Sequence, residues 1–141
     1  MKIEFTVFGE PAGKGRPRFN RRSGRTYTPE KTISYESWVR WSYTEKYHKF
    51  RFTDRSMLVV DIKAYYSIPA SDSNAEKERK LSGKRLPIKK PDWDNIGKII
   101  CDALNGIAYR DDTQIVDGRV RKYYSDDPRV VVTIYEKEAL S

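Results

Sequence analysis

Apolar and polar residues alternate from the start of the chain. Ile3, Phe5 and Val7 are separated by Lys2, Glu4 and Thr6, the period of a half-buried β-strand. The run Met57 to Tyr66 repeats that period, with Leu58, Val60, Ile62 and Ala64 on one face. Between these two strands the period lengthens. Tyr35, Trp38, Val39 and Ser42 fall at helical spacing, and Thr28 and Pro29 stand where an N-cap and a first helical residue belong, so a helix is predicted from there to about Lys49. Gly9 to Pro29, rich in Gly, Pro, Arg and Lys, reads as a loop. The polar stretch Ser71 to Leu81 predicts a short solvated helix ended by Gly83, and Gly83 to Lys90 a basic connector. Ile96, Ile99, Ile100, Ala103 and Leu104 form a regular stripe at i, i+3, i+4, i+7 and i+8, closed by Asn105-Gly106. Gln114 to Tyr124 reads as a strand, Ser125-Asp126-Asp127-Pro128 as a turn, and Val130, Val132 and Ile134 as a last strand, expected to be the hairpin partner of the one before. The order β-α-β-(α)-α-β-β predicts an α+β or mixed α/β fold. A mixed sheet would carry a long helix in the N-terminal half and a central amphipathic one, all within a single domain over 1–141. Nothing in the chain repeats.

Composition narrows the partner. The chain has 141 residues, the size of one ordinary domain. Only 38% are hydrophobic and 34% are charged, yet ten Tyr, five Phe and three Trp argue against disorder. Lys and Arg exceed Asp and Glu by eight and the pI is near 9.5, a balance that favours a polyanion such as nucleic acid over a merely soluble basic protein. One cysteine, Cys101, excludes an internal disulfide and lies in an apolar run as a core thiol. One histidine, His48, excludes multi-histidine metal sites and reads as a helix-surface residue. No run is long and apolar enough for a membrane span, and the first residues lack a signal peptide's apolar stretch, so a cytoplasmic protein is expected.

Charge is not spread evenly. Lys14, Arg16, Arg18, Arg21, Arg22 and Arg25 place six cations within twelve residues, and no acid occurs from Pro11 through Pro29. Gly13 and Gly15 free the backbone to approach phosphates, arginine forks suit them, and Phe19 and Tyr27 offer stacking surfaces. The bland reading is a solvated loop. The Gly13-Lys14-Gly15 triplet is not a dinucleotide fingerprint, because the third glycine is missing and no apolar-striped helix follows. A second basic run, Lys84, Arg85, Lys89 and Lys90, leads directly into acids.

Those acids open the striped helix: Lys90-Pro91-Asp92-Trp93-Asp94-Asn95. In extended chain the Asp92 and Asp94 carboxylates share a face, whereas within a helix they diverge by about 200°. The pair is therefore useful only if Asp92 precedes the helix. Converging carboxylates need compensation, which Lys98, one helical turn beyond Asp94, or a Mg²⁺ ion would supply. Asp94 is also an ideal N-cap. A second pair, Asp111-Asp112, follows the helix closely, and Asp102 lies two turns beyond Asp94.

Taken together, Lys90-Pro-Asp-Trp-Asp-Asn-Ile-Gly-Lys98 and Asp102-Ala-Leu-Asn-Gly-Ile-Ala-Tyr-Arg-Asp-Asp-Thr-Gln-Ile-Val-Asp117 closely resemble the RusA family of Holliday junction resolvases. Gly13-Lys-Gly-Arg-Pro-Arg18, with Tyr27-Thr-Pro29 after it, resembles the start of that family's phage and prophage branch. The resemblance implies a homodimeric crossover junction endodeoxyribonuclease. It would nick four-way DNA junctions symmetrically with one or two Mg²⁺ ions, Mn²⁺ able to substitute, in a bacterial or phage-infected cytoplasm, with no membrane and no small-molecule cofactor. Asp92, Asp94 and Asp112 would be the catalytic acids and metal ligands, and Lys98 the essential lysine. Asp111 matches less well, and Trp93 departs from the usual aliphatic residue. Lys14, Arg16, Arg18, Arg21, Arg22, Arg25, Lys89 and Lys90 are the expected DNA contacts. Two rivals from other classes are a junction- or duplex-binding protein that does not cut, with its acids as caps and turns, and an RNA-binding module. The second is weaker because no RRM or KH signature is present.

Overall fold

The computed structural model describes residues 1–15, 18–20, 22–23, 25–27 and 30–138. In chain order the elements are β1 (Lys2–Phe8), β2 (Arg18–Asn20), β3 (Arg25–Tyr27), α1 (Glu30–Tyr47), β4 (Leu58–Tyr66), α2 (Asn74–Leu81), α3 (Trp93–Leu104), a single 3₁₀ turn over Asp112–Gln114, β5 (Ile115–Tyr124) and β6 (Arg129–Glu136). The fold is α+β with a mixed sheet, as the alternation and the helical stripe require. Four strands run in the order β1-β6-β4-β5; β6 is antiparallel to both neighbours and β5 is parallel to β4. Parallel neighbours need a long crossover, and α2 and α3 lie in that connection.

One face of the sheet is apolar. Ile3, Phe5 and Val7 of β1, Leu58, Val60, Ile62, Ala64 and Tyr66 of β4, and Val130, Val132 and Ile134 of β6 are buried in one cluster. Val39 and Tyr43 of α1 and the whole α3 stripe, Ile96, Ile99, Ile100, Ala103 and Leu104, join the same cluster. The Cys101 thiol packs against it, and burial pushes its pKa up to about 11, as an inert core thiol requires. Among the described residues no helix is long and apolar enough to cross a membrane.

Four expectations change. The last two strands do not form a hairpin: β4 lies between β5 and β6. The 125–128 turn carries the chain across the end of β4, where Ser125 N–H donates to the Tyr66 carbonyl at 2.9 Å. Turn chemistry bends the chain in either arrangement, so it does not choose the neighbour; β4, whose Leu58, Val60, Ile62, Ala64 and Tyr66 are all buried on one face, takes a central place. The Gly9–Pro29 loop contains an antiparallel pair, β2 with β3, in the register Arg18↔Tyr27, Phe19↔Thr26, Asn20↔Arg25. Strands of three residues are too short to show a period. In α1, Val39 is buried as expected, but Tyr43 is its true partner in the core, while Trp38 and Ser42 face outward. The proposed cap at Thr28 and Pro29 lies outside the described residues. His48 closes that helix at φ 55 instead of riding on its surface; histidine is among the residues that tolerate this left-handed conformation.

The α3 stripe is the main attachment of that helix to the sheet. Ile100→Ala should destabilise the protein by about 2–5 kcal/mol through lost burial and the cavity left behind. A urea midpoint lowered at unchanged slope would show this, and an unchanged midpoint would contradict the packing described.

Candidate active site

The start of α3 sets the site. Its N-cap is Asp92, not Asp94, with extended dihedrals of φ −69° and ψ 153°, and Asp94 falls in the first helical turn. An N-cap aspartate ordinarily accepts a backbone N–H of that turn. The Asp92 carboxylate makes no such bond. The condition for a usable Asp92–Asp94 pair, that Asp92 precede the helix, is met. The peptide before Pro91 is cis, and the Pro91 carbonyl accepts from the Tyr66 hydroxyl at 2.5 Å, which ties the helix start to the end of β4.

Asp92 and Asp94 line one open cleft with Lys89, Lys90, Lys122, Ile88 and Trp93. Lys122, from β5, escaped the sequence reading because only strand pairing brings it there. Its ammonium donates to the Lys89 carbonyl at 2.7 Å and lies 5.1 Å over the Tyr66 ring. Burial holds its pKa below the ordinary lysine value, with the Asp92 carboxylate acting in the opposite sense.

The glycine-rich segment before β2 docks on the same helix start. Lys14 N–H donates to the Asn95 carbonyl at 3.2 Å and Gly15 N–H to Thr32 Oγ1 at 3.0 Å. A Cβ on Gly13 would stand 3.0 Å from Pro91 Cβ and 3.1 Å from Asn95 Cβ, so any side chain there would have to push its neighbours aside. The Lys14 ammonium, one of the candidate phosphate contacts, pairs with Glu36 at 2.5 Å and Asp102 at 3.3 Å. Burial opposes its charge, but the two carboxylates outweigh that and raise its pKa.

The second acid pair splits into two roles. Asp111 forms a reciprocal capping box with Gln114 and accepts from Thr113 N–H; the Thr113 side chain, and then its N–H, lower the Asp111 pKa. Gln114 in turn bonds the carbonyls of Thr53 and Ser56, so Asp111 serves the turn. Asp112 is held by its backbone N–H on Asn105 Oδ1 at 2.9 Å. Burial raises the pKa of its carboxyl, and the carboxylates of Asp111 and Asp102 raise it further, while the exposed Lys98 ammonium opposes them.

Among the described residues, no three acidic, histidine or cysteine side chains stand close enough to hold one metal ion. Asp92 and Asp94 share a cleft; Asp112 feels Asp102, two turns further along α3, and Lys98, one turn beyond Asp94. The donors present still suit Mg²⁺ in its common mode, in which one or two carboxylates act with waters and substrate phosphates. Of the expected DNA contacts, Lys89 and Lys90 line the Asp92 cleft. Arg18 lies on β2, Arg25 on β3 and Arg22 in the turn joining them, while Arg16 and Arg21 lie outside the described residues.

A profile of the family described as Endodeoxyribonuclease RusA matches residues 9–135. A Bacillus subtilis (strain 168) protein named "Uncharacterized protein YqaN" is 39% identical over 141 residues, which covers 97% of this chain and 98% of that protein.

The docking of the glycine-rich segment is open to test. Gly13→Val should push it off α3, so that trypsin cuts after Lys14 on the order of tenfold faster while the urea midpoint barely moves, since loop opening is local. Equal cutting rates would mean that Gly13 is not a close contact.

Proposed function

The chain belongs to the RusA endodeoxyribonuclease family, and we propose that it resolves four-way Holliday junctions by Mg²⁺-dependent symmetric nicking. The observation that carries this reading is the Asp92 carboxylate, which is spared from capping its own helix and shares a lysine-lined cleft with Asp94. A bound divalent ion would supply an activated water and neutralise charge on the scissile phosphate. Lys89, Lys90 and Lys122 hold the phosphate chain against that cleft, and Asp92 and Asp94 are the residues that would hold the ion. Lys98 stabilises charge developing on the phosphate. Asp112 completes the acidic set, and the hairpin arginines track phosphates away from the cut. Two cuts in a two-fold junction require two equivalent sites, which a homodimer supplies.

The rival, a DNA-binding protein that does not cut, is favoured by one observation: among the described residues no three acidic side chains stand close enough to hold one ion. Incubating a synthetic four-way junction with Mg²⁺, beside a linear duplex, discriminates the two: symmetric nicks in the junction are expected, and binding without nicks would establish the rival.

Asp92→Asn, Asp94→Asn and Asp112→Asn should each abolish nicking while junction binding survives, because amides are poor Mg²⁺ ligands. Asp112→Asn carries a second expectation. Its folded-state pKa lies above the unfolded value, so ionisation costs stability above the carboxylate range and not below it. The variant should match or exceed the wild-type urea midpoint at pH 7 and lose that advantage in acid. A loss of stability at pH 7 would assign Asp112 to the scaffold.

Lys98→Ala should slow single-turnover nicking on the order of 10² or more with little change in melting temperature. Lys98→Arg should rescue poorly, since a planar fork does not replace a compact ammonium. A near-wild-type rate in the alanine variant would remove Lys98 from the chemistry.

A further inference from the structure

The three tryptophans are placed differently. Trp38 and Trp41 stack on each other, their centroids 5.0 Å apart and their planes within 5°, and Trp38 Nε1 donates to the Phe8 carbonyl at 2.8 Å. Trp93 has neither kind of partner among the described residues, and it is 64% exposed. It is the first residue of α3, between Asp92 and Asp94, and lines their cleft with Lys89, Lys90 and Lys122. Ile88, wholly exposed, stands on the same cleft. Leaving an indole in water forgoes the favourable burial of a large apolar surface, and here that surface borders a cationic, carboxylate-bearing cleft.

We infer that Trp93 stacks on a nucleobase beside the phosphate that is cut. This rests on the nuclease reading above. The ligand must carry phosphates, for the lysines, and a flat apolar face, for the indole; a nucleotide carries both. Aromatic stacking accepts any base, so Trp93 positions the strand without dictating its sequence. It acts most cheaply where a base has already lost a stacking neighbour, which is the situation at a branch point. Fixed in the first turn of α3 between the two aspartates, the indole sets the distance from base to carboxylates through rigid backbone. An aliphatic side chain at this position has no π-face and cannot do the same.

The test uses four-way junctions carrying 2-aminopurine at single positions around the crossover, bound by the full chain in EDTA. With the wild type, fluorescence next to the nicked phosphate should change about two-fold or more. Trp93→Leu should abolish the change and Trp93→Phe should keep most of it. With Mg²⁺, single-turnover nicking should fall about 5- to 150-fold in Trp93→Leu, the range expected for loss of one base–aromatic stack, with an unchanged melting curve. No fluorescence change at any position with the wild type overturns the inference, as does an equal change in Trp93→Leu. Nicking at the wild-type rate in that variant also overturns it and leaves the nuclease reading intact. A weakened dimer without a fluorescence change overturns it by assigning the indole to a protein contact. A Trp93-dependent change in a wild type that never nicks would sustain the stacking and refute the nuclease.

Discussion

The burial of the α3 stripe against the sheet is the constraint on which the rest of the site depends. Ile96, Ile99, Ile100, Ala103 and Leu104 are buried together with the inward faces of β1, β4 and β6. Once that face is fixed, both ends of the helix are fixed. One end presents Asp92 and Asp94 beside the end of β4, where Tyr66 holds the Pro91 carbonyl. The other ends at Asn105, whose side chain holds the Asp112 backbone. With a rise of 1.5 Å per residue, Asp94 and Asp102 are about 12 Å apart along the axis, with Lys98 midway between them.

Electrostatics then sorts the charges by what surrounds them. Lys14 enters a pocket of Glu36 and Asp102, and its charge goes to holding the glycine-rich segment against α1 and α3. Lys122 enters a cleft where burial works against its charge, and it lies over an aromatic face next to Asp92. Asp111 is stabilised by the Thr113 hydroxyl and by backbone donors and stays with its turn, whereas Asp112, its neighbour, is destabilised by burial and by like charge. Adjacent aspartates of one dipeptide thus acquire opposite tendencies from environment alone.

The open face of the sheet shows the contrasting case, in which exposed aromatic and charged side chains have partners. Tyr65 stacks on Tyr123 at 5.4 Å, and the Arg129 guanidinium sits 4.0 Å over Tyr65. Arg121 grips Asp61 through both carboxylate oxygens, at 2.9 and 3.1 Å. Cross-strand pairing of this kind stabilises a solvated sheet face. Trp93 stands outside any such arrangement.

The sequence by itself determined the strands β1 and β4, the central helix α3 and the α+β class, because each is written in a local period of 2 or 3.6 residues, and it marked the short helix α2 by its polar run and the glycine that ends it. It also marked the candidate site: the Asp92–Trp93–Asp94 triplet, Lys98 and the Asp111-Asp112 pair sit at fixed spacings whose resemblance reaches the family without any fold. Tertiary structure decided the rest. It placed β4 between β5 and β6, a choice that depends on which strand has two apolar neighbours and that no turn signals. It moved the cap to Asp92, because helix boundaries shift by a residue or two with little local cost. It paired Lys14 with Glu36 and Asp102, brought in Lys122 across the sheet, and gave Asp111 to its turn. Each of these depends on contacts between residues distant in the chain, and a local pattern carries no record of them.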